Sequence, residues 1–129
     1  MTIQLDHFIV PTHHQIASAR QLAELLGVAW EKTSIGPFSP VYLNDGLTLD
    51  FLETDEPFPV HHYCFRVGQA EFDAILGRIQ AAGIPYRSTV RGPDDMQIST
   101  QFGGNSFYWN EPDGHQWELL TVSYARPPA

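Results

Sequence analysis

Four residues in this chain have the chemistry to hold a metal ion: His7, Asp50, His62 and Glu118. Imidazole nitrogen and carboxylate oxygen suit a divalent Zn, Ni, Mn, Fe or Co ion, and the residue types alone do not choose among these. Two histidines with one or two carboxylates leave coordination positions open for a substrate. Each of the four falls in a short run with β propensity, where side chains alternate in direction. Run 3–10 puts Leu5, His7 and Ile9 on one face, with Asp6, Phe8 and Val10 on the other. The same alternation groups Thr48, Asp50 and Leu52, then His62, Cys64 and Arg66, then Gln116, Glu118 and Leu120. The opposite sets are largely apolar and suit packing under helices. Two histidines and two carboxylates are thus expected on one side of a sheet. A half-buried carboxylate there needs a cation or a donor. The plainer alternative is that each polar group is satisfied separately.

The elements that must position these groups occur twice. Gln4–Val10 and Pro59–Val67 are both β-prone runs with an early histidine, and each is followed by a helical pattern. Ile16, Ala19, Leu22, Ala23 and Leu26 have helical spacing, with Gly27 as the stop. Phe72, Ile75, Leu76 and Ile79 repeat it, closed by Ala82-Gly83. Each half then ends in a hairpin pattern, Tyr42–Leu52 and Tyr108–Leu120, around an Asn-acid turn with glycine. Overlaying the halves sets His7 on His62 and Asp50 on Glu118. The pattern predicts strand 3–10, helix 13–26 and strands near 28–34, 40–44 and 47–53. It then predicts strand 60–67, helix 69–82 and strands near 85–91, 104–110 and 115–122. The expected fold is α+β: two tandem βαβββ modules, about 1–55 and 58–125, making one open, cupped mixed β-sheet in a single domain, with helices outside. The turn-rich stretch from Arg91 to Asn105 is long for its place, as functional loops often are.

Composition narrows the partners. The 129 residues carry a net charge of -8, with only seven Lys and Arg. No basic face can be assembled for nucleic acid. No apolar run has membrane-spanning length, so no membrane partner is expected. Cys64 is the single cysteine, which rules out an internal disulfide and fits a reducing compartment. With no signal-peptide pattern at Met1–Asp6, the expected location is cytoplasmic. The tail 125–129 reads as a frayed end.

The chain resembles the vicinal oxygen chelate superfamily, which includes glyoxalase I, fosfomycin-resistance transferases, bleomycin-resistance proteins and extradiol dioxygenases. The resemblance spans nearly the whole chain. It is carried by Leu5-Asp6-His7, by His62–Val67 and above all by Glu111-Pro112-Asp113-Gly114-His115-Gln116-Trp117-Glu118-Leu119. It implies metal ligands at His7, His62 and Glu118. Asp50 stands where glyoxalase I has a fourth carboxylate, one methylene longer. The family's metal binds vicinal oxygens of the substrate and stabilises developing negative charge. Tyr108, preceded by Ser106-Phe107, matches a substrate-contacting tyrosine of the fosfomycin enzymes. Ile9 replaces their threonine, and their potassium loop is not recognisable in 96–106.

The remaining candidates have plainer readings beside the sharp ones. Arg66 either binds an anionic substrate or pairs with a cup carboxylate. Cys64 is either a small filler or a reactive thiol beside the metal. His61 would replace His62 only if the register slipped by one. His13 and His14 are expected to be solvated, and His115 to make a structural hydrogen bond. Trp30, Phe38 and Tyr42 either floor a pocket or belong to the core.

The leading function is a metal-dependent lyase or isomerase of glyoxalase type acting on a small vicinally oxygenated substrate, with Glu118 or Asp50 doubling as base. The competitors are a metal-free binding module of bleomycin-resistance type and an Fe(II) dioxygenase. The resemblance also implies a homodimer with sites at the subunit interface. Each site would combine His7 and Asp50 of one chain with His62 and Glu118 of the other. The short, proline-stiffened connector 54–59 suits that exchange.

Overall fold

The computed structural model describes residues 2–127, and they form an α+β chain. Two compact units divide it, Met1–Pro59 and Val60–Ala129. The first holds β1 (His7–Thr12), α1 (Gln15–Leu26), β2 (Ala29–Trp30), β3 (Ser39–Asn44) and β4 (Leu47–Glu53). The second holds β5 (His62–Arg66), α2 (Gln69–Ala81), β6 (Ser106–Asn110) and β7 (Gln116–Leu120).

In the first unit the strand order is β1-β4-β3-β2, with β1 parallel to β4 and the other pairs antiparallel. The hairpin β3–β4 turns where the Asn-acid-glycine pattern placed it, and Asn44 Oδ1 accepts from Gly46 N–H. Val10, Val41, Leu49 and Phe51 are fully buried, together with Ala19, Leu22, Ala23 and Leu25 of α1. Gly27 closes α1 at φ 74, a left-handed conformation that glycine adopts without steric cost. Two expectations need correction. Ile16 is 45% exposed, and the polar Gln15 takes the inward place at the helix start. The strand near 28–34 forms a ladder only at Ala29–Trp30. Glu31 N–H still reaches Pro40 O, but Pro40 has no N–H to return, so pairing stops there. Run 3–10 enters the sheet late, at His7, and continues to Thr12. Pro11 is tolerated in β1 because that strand is an edge.

The second unit has strand order β5-β7-β6, with β5 parallel to β7. Phe72, Ile75 and Ile79 of α2 are buried, as are Phe65, Phe107, Trp109, Trp117 and Leu119 of the strands. Phe107 is the hub, edge-on to both Phe72 and Tyr86. The strand expected at 85–91 is not formed. Arg87 pairs with Tyr108 in one isolated bridge. Beyond it, the Asp95 carboxylate takes the Ser88 N–H at 3.0 Å and the Ser88 hydroxyl at 2.5 Å. Arg87 spends both its N–H and its C=O on Tyr108, so the next ladder positions are 85 and 89, and Pro85 has no N–H to offer while Asp95 turns the chain away at Ser88. The same carboxylate accepts from Gln97 N–H and holds Met96 at φ 56, which is uncommon for a non-glycine residue.

One histidine differs from expectation and another meets it. His13 is not merely solvated: its Nδ1 lies 2.8 Å from Thr54 O and its ring packs on Phe58. His115 makes the structural bond expected of it, accepting His61 N–H at 3.0 Å on Nδ1 while fully buried.

Candidate functional site

The ladders put the candidate side chains on the faces that alternation gave them. In the first unit His7 pairs with Thr48 and Ile9 with Asp50, so all four share a face. Val10 and Thr12, on the other side, are fully buried. His7 is exposed, and its Nδ1 lies 2.6 Å from Asp6 Oδ2. That bond chiefly holds the ring's pKa above its ordinary value, with weaker help from Asp50. With Nδ1 engaged, Nε2 is the nitrogen left for a cation. Asp50 is half-buried, and desolvation raises its carboxyl above the ordinary value while His7 opposes the shift. His7 and Asp50 line a cavity of about 350 Å³ with Phe38, Pro40 and Tyr42. Phe38 and Tyr42 are therefore pocket residues. Tyr42 is half-buried, and its hydroxyl donates to Glu31.

In the second unit His62 pairs with Gln116, Cys64 with Glu118, and Arg66 with Leu120. Glu118 also faces Tyr108 across the β6–β7 ladder. Glu118 is fully buried, and its Oε1 lies 3.0 Å from His62 Nε2. Tyr124, past the end of β7, spreads its phenolic proton over both oxygens, at 2.6 and 2.7 Å. Burial, then that bond, pushes the Tyr124 phenol far up. Tyr108 is also raised, first by desolvation. Phe102 stacks on Tyr124 with centroids 4.3 Å apart. Around His62, a cleft of about 450 Å³ is lined by Val90, Arg91, Phe102, Tyr108, Gln116 and Tyr124. The turn-rich stretch after α2 thus supplies Arg91 and Phe102 to this cleft.

Three other candidates resolve as follows. Cys64 shares the face with His62 and Glu118. Although the residue is exposed, its neighbours desolvate the sulfur, and the Glu118 carboxylate adds to that effect. The thiol is pushed up to about 12. Arg66 is exposed and has no carboxylate partner among the described residues. His61 is not drawn onto the site: its backbone binds His115 and Gln116, and the register stands with His62 facing Glu118.

Gln116, Val90 and Tyr124 escaped the sequence reading as site residues. For Gln116 a signal existed, since it lies two residues before Glu118 on the same face. Val90 acts through its main-chain carbonyl, which no side-chain pattern announces.

Among the described residues no three His, Cys, Asp or Glu side chains stand together as a ready-made metal site. The donor chemistry nonetheless fits an ion at two half-sites. Each of His7 and His62 has its Nδ1 hydrogen-bonded to an oxygen, the usual arrangement of a histidine that ligates through Nε2. Glu118 keeps lone pairs beyond those used by Tyr124. No helix among the described residues is long and apolar enough to cross a membrane.

No family model matches the chain, and no curated protein does. Solved structures do. It is 40% identical to oxidase ChaP-H2, with a TM-score of 0.88, covering 97% of this chain and 98% of that one. It is also 40% identical to oxidase ChaP-H1, with a TM-score of 0.87, covering 97% of this chain and 100% of that one. A lactoylglutathione lyase from Agrobacterium tumefaciens shares the fold at a TM-score of 0.67 and 16% identity, over 92% of each chain. With such extensive identity to the two oxidases, and with glyoxalase and fosfomycin-resistance proteins sharing the fold, the chain belongs to the vicinal oxygen chelate superfamily.

Proposed function

We propose that this protein is a metal-dependent oxidase that passes electrons from a small oxygenated substrate to dioxygen. The observation that carries the reading is 40% identity, over 97% of the chain, to two proteins described as oxidases. The lyase or isomerase expectation rests on the motif resemblance, to which the lactoylglutathione lyase, at 16% identity, adds likeness of fold alone. The proposed ligands are His7, His62 and Glu118, with Asp50 as a fourth carboxylate. Two histidines and a carboxylate suit Fe(II) as well as Zn, Ni, Mn or Co, and leave positions for substrate and oxygen. When bound, the metal supplies a Lewis acid for substrate oxygens and, if redox-active, a path for electrons.

The chain's own groups would shape the rest. Tyr124 holds the Glu118 carboxylate in one orientation. Tyr108 and Phe102 wall the substrate side of His62. The exposed Arg66 would meet an anionic substituent. A homodimer, with His7 and Asp50 of one chain completing His62 and Glu118 of its partner, remains part of the proposal.

The test is reconstitution of the apo-protein with ferrous, manganous and zinc ions under argon, then metal analysis and oxygen-electrode traces with a panel of catechols and hydroquinones. One ion per chain and oxygen uptake with a redox-active metal only are expected. A wild-type protein that retains no ion ends the proposal, and uptake that zinc supports equally well ends its redox half.

A further inference from the structure

Two acceptors flank the His62 ring. Gln116 Oε1 lies 2.5 Å from Nδ1, and Glu118 Oε1 lies 3.0 Å from Nε2. The Gln116 amide cannot be turned round. Its Nε2 donates to Val90 O at 2.7 Å, and a carbonyl only accepts, so Oε1 must face the histidine. Nδ1 therefore carries a proton. A neutral imidazole has only one N–H, so Nε2 presents a lone pair to a carboxylate oxygen. Without a metal ion a proton bridges Nε2 and Glu118 Oε1 at this distance; a divalent cation displaces that proton and takes both lone pairs, while Nδ1–H stays on Gln116.

The Val90 carbonyl is itself anchored. Arg87, only 7% exposed, donates to it from Nε and Nη2 at 3.3 Å each. The third arm of that guanidinium, Nη1, donates to Asn110 Oδ1 at 2.7 Å. The anchor is thus a buried cation tied to β6, and the chain of contacts runs Arg87, Val90 O, Gln116, His62.

We propose that Gln116, anchored by Arg87 through the Val90 carbonyl, is a positioning residue that fixes His62 in its Nδ1–H tautomer, so that Nε2 and Glu118 take one divalent cation together. This rests on the metal-dependent reading above. Gln116 does not touch the cation; it acts through His62.

The experiment measures zinc binding by calorimetry on the full-length protein, alongside ¹⁵N spectra of the histidine rings in the zinc-loaded state. Gln116→Leu keeps the side-chain volume and removes the acceptor, so zinc should bind about 10–100-fold more weakly. Gln116→Glu still offers an oxygen to Nδ1–H but turns its other oxygen on the Val90 carbonyl, so it should recover only part of that loss. In the wild type the His62 Nε2 signal should shift as a metal-bound nitrogen, with Nδ1 still protonated. Gln116→Leu binding zinc within about twofold of wild type, or His62 ligating through Nδ1, overturns the proposal and leaves the metal reading standing. A wild type that binds no zinc or other divalent ion brings down the metal reading and this proposal with it. If Gln116→Leu does not fold, the wild-type ring spectrum alone decides.

Discussion

The two units share a strand–helix–hairpin order, the second lacking the strand that follows the helix in the first, yet they hold their candidate ligands differently. His7 leans on Asp6, its own exposed chain neighbour. His62 leans on Gln116 from another strand, which is fastened in turn to Val90 and Arg87. Asp50 is half-buried and its carboxylate accepts no hydrogen bond among the described residues, whereas Glu118 is fully buried under Tyr124. A repeated topology therefore reproduces which side chains share a face, but not the network that orders them. The His62–Glu118 pair is thus fixed by its own network, whereas His7 and Asp50 keep more rotamer freedom, which any ligand they bind would have to remove.

The sharpest way to break this contrast is to remove the two carboxylates in turn. Glu118→Ala should weaken divalent-ion binding by about 100-fold or more, roughly 3 kcal/mol, because it removes an ordered ligand. Asp50→Ala should cost about tenfold or less. Equilibrium dialysis against zinc separates the two, and equal losses would mean the halves contribute alike.

A smaller effect tests how each helix start is tied down. Gln15 Oε1 accepts Glu53 N–H at 2.8 Å, and its Nε2 donates to Pro37 O and Ser39 Oγ. Gln15→Leu strands these partly buried groups and should cost about 2–3 kcal/mol of stability. In the second unit, Glu71 closes the helix start only through a 3.3 Å bond to the exposed Gly68 N–H. Glu71→Ala should cost about 0.5 kcal/mol. Urea midpoints measure both, and reversal of that order would show that the first unit does not depend on its buried glutamine.

The smallest effect belongs to Asp95. Its carboxyl is held below the ordinary value, chiefly by the Ser88 hydroxyl. A depressed folded pKa means the stabilisation is present above the unfolded carboxylate value and is lost as pH falls through the folded one. Wild type should be more stable than Asp95→Asn at neutral pH, and the gap should close as pH falls through and below the ordinary carboxylate range. A gap independent of pH would show that the loop is held by something other than this carboxylate.

The parts legible in the sequence were those governed by short periods. Alternation placed His62, Cys64 and Glu118 on one face, and helical spacing placed Phe72, Ile75 and Ile79 inside. The Asn-acid-glycine turns marked both hairpins. What alternation could not show was competition for backbone groups. Residues 85–91 have the composition of a strand, but Pro85 brings no N–H to the next ladder position, Asp95 binds the chain back at Ser88, and pairing stays at one bridge. Pro40 likewise shortens β2 from across the sheet. Tyr124 was hidden for another reason: it lies beyond the last strand, and its reach back to Glu118 depends on the turn between them.

The Val90 acceptor has a consequence for how this protein tolerates change. It is a main-chain oxygen, so replacing the exposed side chain at 90 does not delete it. Mutational drift at that position should be nearly free, while the contact that orients Gln116 persists. The vulnerability is displaced to Arg87, whose guanidinium fixes the carbonyl, and to the turn at Gly92-Pro93. A Cβ at Gly92 would stand 2.0 Å from Thr89 Oγ1, so a substitution there requires the Thr89 side chain to turn. Inheritance of the device thus depends on residues that a survey of cleft-lining side chains would pass over.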